Sequence, residues 1–169
     1  MKLIAEINEE NRDDSVFRVS VDGADTVFRS HSVDFPFYRG TLVLEEGVEG
    51  VERYSLSGTY FHTIVLPKSL ETLGERLFSA FSYYSVKTVL RYAGTSEEFQ
   101  RIAAVREEEV LESDGFDRYP YYSGNSRWVT YYRAFDNDAS ELEVVCADGV
   151  TLLYGARHRK DAEPPKVKA

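Results

Sequence analysis

A stretch of 17 residues occurs twice in this chain, 22 positions apart. Residues 42–58 read LVLEEGVEGVERYSLSG and residues 64–80 read IVLPKSLETLGERLFSA. Leu42 aligns with Ile64, Leu44 with Leu66, Val48 with Leu70, Val51 with Leu73 and Leu56 with Phe78, without a gap. A unit this short cannot bury its own apolar side and must hide it against the next copy, which predicts a stacked solenoid. Each copy opens with apolar residues at alternate positions, the strand signal. It then turns, through Glu45-Glu46-Gly47 in one copy and Pro67-Lys68-Ser69 in the other. A third strand is expected over Val86, Val89 and Tyr92 with the offset lengthened to 25, so that Ile64 faces Val89.

The second copy, with Pro67, Ser69, Leu70, Leu73, Gly74 and Phe78, resembles the unit of the BspA-like leucine-rich repeats: strand, Pro-x-Ser-Val, x-x-Ile-Gly, x-x-Ala-Phe. The following VKTVLRYAGTSEEFQRI is similar to that family's terminal element, through Tyr92, Gly94, Thr95, Glu97, Glu98 and Ile102, with Phe99 in place of Trp. The likeness covers about residues 42–102 and, loosely, 141–153. It implies a fold that is mainly β with short helices (α+β): a short leucine-rich-repeat-type solenoid with N- and C-terminal capping strands. It also implies an adhesive or binding role, as most members are exported surface proteins. Residues 1–40 are expected to form an N-terminal cap, 41–154 the solenoid with its C-terminal strands, and 155–169 a flexible polar tail.

The net charge is −9, and it is uneven. Residues 155–169 hold five basic residues against two acidic ones, so the body carries all of the negative excess. Such a body disfavours nucleic-acid phosphates, which need a basic face, and suits either a basic partner or plain solubility. The 12 Tyr and 10 Phe favour strands and a real core. The single cysteine, Cys146, excludes an internal disulfide and reads as a buried, inert thiol. MKLIAEINEENRDD contains no stretch approaching a signal core or membrane span, so a cytoplasmic or virion-associated location is expected.

Asp22-Gly23, between VFRVSV and TVF, predicts a hairpin, and Asp148-Gly149 between ELEVVCA and VTLLY predicts another. Thr95-Ser96-Glu97-Glu98 reads as a capping box. The helix it starts is expected to turn Phe99, Ile102 and Ala103 inward and to continue through Val110. Residues 116–132, FDRYPYYSGNSRWVTYY, concentrate Tyr and Trp, which combine contact area with a hydrogen-bonding tip. They either pack on the neighbouring strands or form a contact region.

No nucleotide loop, nucleophile elbow or metal-ligand spacing is present, and His31, His62 and His158 lie far apart, with His62 expected to be exposed. Asp136-Asn137-Asp138 has Glu141 where a calcium loop needs Gly. The expected function is therefore a non-catalytic protein-interaction module without a cofactor or metal, facing a protein or glycan partner. Tyr83, Tyr84, Tyr121, Tyr122 and Trp128 are the candidate binding residues. Two alternatives stand beside it: a phage virion structural or decoration protein that self-assembles, and an acidic inhibitor of a host nucleic-acid-binding protein.

Overall fold

The computed structural model describes residues 1–74, 77–78, 88–103, 142–154 and 164–169 in full, and residues 106–112 and 125–131 as backbone. Eight strands form one sheet. In spatial order they are β1 (Lys2–Glu6), β2 (Val16–Ser20), β4 (Arg39–Leu44), β6 (Tyr60–Leu66), β8 (Val89–Tyr92), β11 (Leu142–Cys146), β12 (Thr151–Tyr154) and β13 (Lys166–Val167). Three short strands, β3 (Val27–Phe28), β5 (Gly50–Val51) and β7 (Thr72–Leu73), make a second, parallel sheet. A third pair joins β9 (Arg106–Glu112) to β10 (Asn125–Tyr131) antiparallel. Among the described residues there is one α-helix, α1 (Ser96–Ile102), besides a 3-10 turn at Arg12–Asp14.

This architecture overturns the expected leucine-rich-repeat-type solenoid. The large sheet is mixed: β2, β4, β6, β8 and β11 run parallel, β1 returns antiparallel to β2, and β12 and β13 fold back antiparallel beyond β11. With the chain reversed at both ends, a further unit of the same direction has no parallel strand to continue. The 22-residue period is the pairing register of the two copies instead. Leu42 lies opposite Ile64 and Val43 opposite Val65 in the large sheet, while Val51 lies opposite Leu73 in the small one. The turns are tied at the same spacing. The Glu46 carboxylate accepts from the Lys68 and Ser69 amides at 2.8 and 3.1 Å, and the Ser69 hydroxyl donates to the Val48 carbonyl at 2.9 Å.

The large sheet turns one face inward. Phe17, Val19, Leu42, Leu44, Ile64, Leu66, Leu90, Tyr92, Val144 and Leu152 are buried along it, and the same core takes in Val51 of the small sheet with Val48 and Leu70 from the turns that lead into it. The expected offset of 25 between β6 and β8 is off by one: Ile64 pairs with Leu90. A one-residue slip exchanges the faces, so Leu90 and Tyr92 enter the core and Val89 points outward.

Three further expectations are corrected. β3 is not the return strand of a hairpin with β2; it crosses to the small sheet and pairs parallel with β5. The helix ends at Ile102, not Val110, because Arg106–Glu112 is strand β9, extended against β10. His62 is half-buried within β6, not exposed beside it. The capping box forms: the Thr95 hydroxyl accepts from the Glu98 amide at 3.2 Å, and the Glu98 carboxylate from the Thr95 amide at 2.8 Å.

Asp148, in the β11–β12 turn, fastens α1 to the sheet. Its carboxylate accepts from the Ser96 amide at 3.0 Å, the Ser96 hydroxyl at 2.7 Å and the Val150 amide at 3.2 Å. These bonds, the backbone one to Ser96 foremost, hold its pKa below the ordinary carboxylate value of 3.8. A lowered folded-state pKa contributes stability that is complete above the unfolded value and is lost as pH falls through the folded one. Asp148→Ala is therefore expected to melt below the wild type at pH 7. The gap should narrow as pH falls below about 4. Parallel thermal melts from pH 7 to pH 2 check this; a gap constant over that range would refute it.

Candidate interaction surface

The outward face of the large sheet has an unusual composition. The central strands carry Thr or Val on this face: Thr41 and Val43 on β4, Thr63 and Val65 on β6, Val89 beside Arg91 on β8, and Val145 beside Glu143 on β11. Strands of a sheet covered on both faces read as continuous apolar runs, whereas strands with one wet face alternate apolar and charged. TLVL, TIVL and EVVC read as the first kind, yet the outward side chains each keep part of their surface exposed.

Register aligns them in two rows across the strands. One runs Ile4, Arg18, Val43, Val65, Arg91, Val145, Thr151; the other runs Glu6, Val16, Thr41, Thr63, Val89, Glu143, Leu153. With strands about 4.8 Å apart, β2 to β12 spans about 24 Å. Two charges lie within the first row. Arg18 reaches Glu45 at 3.4 Å across solvent, a weak pair at such exposure. Arg91 is exposed and has no ion-pair partner among the described residues. At the far end Lys168 closes on Glu143 at 2.8 Å.

The floor beneath this face is rigid. A β-bulge sets its register: Gly40 pairs with Phe61 and Thr41 with Thr63, so His62 is the extra residue. The His62 ring is pinned on both sides. Nε2 lies 2.7 Å from the Asp13 carbonyl oxygen, an acceptor only, so Nε2 donates, and Nδ1 lies 2.8 Å from the Thr63 hydroxyl. Asp13 in turn takes a two-point ion pair from Arg39, at 3.0 Å on each oxygen.

A cavity of about 80 Å³ opens on the other side, between the sheets, lined by Phe28, Phe35, Tyr38, Phe61, Ser55 and Thr59 among others. That is well under the roughly 300–1,000 Å³ of small-molecule sites. Cys146 is buried, and burial pushes its thiol up to about 11, so it stays protonated at neutral pH. No group of three His, Cys, Asp or Glu suited to a metal ion occurs among the described residues.

Of the candidate binding residues read from the sequence, Trp128 lies on β10 directly across from Glu109 of β9. Tyr83, Tyr84, Tyr121 and Tyr122 lie outside the described residues. The outward rows were missed. Their signal was present, since the residues between core positions are β-branched where a wet face calls for charges. No protein-family model, curated protein or solved structure matches the chain.

Proposed function

We propose that this protein is a non-catalytic recognition module that holds a protein partner against the outward face of its large sheet. The observation that carries this reading is the mismatch on that face: strands written for two-sided burial, with Val43, Val65, Val89 and Val145 left partly exposed. Interfaces concentrate binding energy in such desolvated centres, and arginine is enriched there. Arg91, between Val65 and Val145, supplies one cation for a partner carboxylate. The mechanism is geometric: a hydrogen-bonded sheet presents fixed side chains, which loses little conformational entropy on binding, and no cofactor takes part. No helix among the described residues is long and apolar enough to cross a membrane.

The partner is to be isolated by affinity capture from the source cells, identified, and titrated by calorimetry against Val65→Asp and Arg91→Glu. Each substitution is expected to weaken binding about thirtyfold or more, with the melting temperature of the exposed Arg91 variant nearly unchanged. Trp128→Ala is the rival test. Undiminished affinity in both sheet variants, with loss in Trp128→Ala, would move the contact to the β9–β10 pair.

A further inference from the structure

We propose that β1 pairs antiparallel with β1 of a second copy of this chain, joining two large sheets edge to edge. In the spatial order of strands β1 is terminal, bonded on one side to β2 and paired to nothing else among the described strands. A free edge is a template for another strand, and natural edges are blunted by short length, lysine, proline or bulges. The opposite edge, β13, is blunted in this way: it is two residues long, with Lys166 in it and Lys168 beside it. The edges of the small sheet, β3 and β7, are also two residues long. β1 has five residues, no proline and no bulge, and its one lysine, Lys2, stands at its first position. At its centre Ile4 is 51% exposed, which makes it one of the most exposed large apolar residues among those described.

The sequence of β1, Lys2-Leu3-Ile4-Ala5-Glu6, is complementary to itself. A two-fold axis at Ile4 sets Ile4 against its own copy, Lys2 against Glu6 of the second chain, and Glu6 against Lys2. On the inner face it sets Leu3 against Ala5. Opposite charges directly across an antiparallel pair attract and like charges repel. Neither Lys2 nor Glu6 has an ion-pair partner among the described residues. Across β2 they face Ser20 and Val16, and the nearby Asp22 is taken by the Met1 amino group at 2.8 Å. The chain leaving β1 turns away from the free edge: the Asn8 amide donates to the Ser15 hydroxyl at 3.0 Å, and Asp13 docks on Arg39 of β4. The pairing is isologous and closes at two copies. It carries the row from Ile4 to Val145 unbroken into the second sheet.

Sedimentation equilibrium of the full chain over a wide concentration range tests this. The wild type is expected to be a reversible dimer of twice the chain mass. Lys2→Glu and Glu6→Lys each place like charges opposite at both symmetric sites and are expected to raise the dimer dissociation constant about tenfold or more. The double exchange Lys2→Glu/Glu6→Lys restores the wild-type value. An equimolar mixture of the two single variants forms a heterodimer, which a merely destabilised fold would not do. Circular dichroism spectra that match the wild type show that each variant keeps the fold. A wild type that stays monomeric overturns the proposal. So do single variants that dimerise undiminished, a mixture that stays monomeric, and assembly beyond two copies.

Discussion

Phe17→Ala is expected to lower the unfolding free energy by about 3–5 kcal/mol, out of a total on the order of 5–15 kcal/mol for a domain. Phe17 has no exposed surface. Its ring is the hub of an edge-to-face cluster, with centroids 5.6 Å from Phe35, 5.3 Å from Phe37 and 6.0 Å from Phe61. Each such contact adds about 0.5–1.5 kcal/mol beyond burial. The surroundings cannot collapse into the void, because Phe35 and Phe61 already border the cavity of about 80 Å³. Phe17 does not line that cavity, so its truncation adds a further void beside rings that already border one, and residual cavity volume is what sets the upper end of the range. Urea denaturation followed by fluorescence checks the value. Tyr38→Ala, whose ring is 43% exposed on the same cluster, serves as comparison and should cost clearly less. A Phe17→Ala loss below about 1.5 kcal/mol would mean that this cluster does not hold the strand ends together.

The strands were readable because their period of two is local information. Leu42/Leu44 and Ile64/Leu66 face inward as alternation requires, and the repeat spacing is the register that pairs them. What alternation cannot give is where a ladder stops. The reversal of β1 against β2 and of β12 against β11 depends on contacts between segments that no periodicity links, so a finite mixed sheet was mistaken for a solenoid. The register of β8 failed for a related reason. Val89 and Leu90 are both apolar, and only the pairing of Leu90 with Ile64, with Tyr92 packed on Phe99 two residues on, selects Leu90 for the core. α1 was legible at its start, where Thr95 and Glu98 carry the cap chemistry. Its end was obscure, because Glu107-Glu108-Glu109 suits a helix locally and becomes strand only through pairing with β10. In the sequence the aromatic segments are the conspicuous contact candidates, because Tyr and Trp combine contact area with a hydrogen-bonding tip. The outward valines read as core in the sequence, and only their residual exposure on the folded sheet shows that they face outward.

Gly40→Ala is the second large effect expected, and it ties the fold to the surface. Gly40 is buried with φ +93°, a backbone region that L side chains rarely adopt. A Cβ at this position would collide with the Ser15 carbonyl, which accepts from the Thr41 amide at 2.9 Å. The atoms that the Cβ meets are backbone, so no side-chain rotation relieves the contact. The conformational strain alone is about 1–3 kcal/mol, and displacement of the Ser15–Thr41 bond adds about 1 kcal/mol. Gly58 is the internal control: its φ is +71°, but a Cβ there meets open space, so Gly58→Ala carries only the strain. Gly40→Ala should therefore destabilise by about 1–2 kcal/mol more than Gly58→Ala in paired urea titrations. Gly40 also sits at the bulge that skips His62 and keeps Thr63 and Val65 on the outward face. Relaxing that bulge shifts β6 by one residue and turns those side chains toward the core. Partner binding should then fall further in Gly40→Ala than in Gly58→Ala, compared at temperatures where both variants are fully folded. Equal stability losses in the two glycine variants would show that Ser15 yields to the added methyl group and that the bulge does not depend on Gly40.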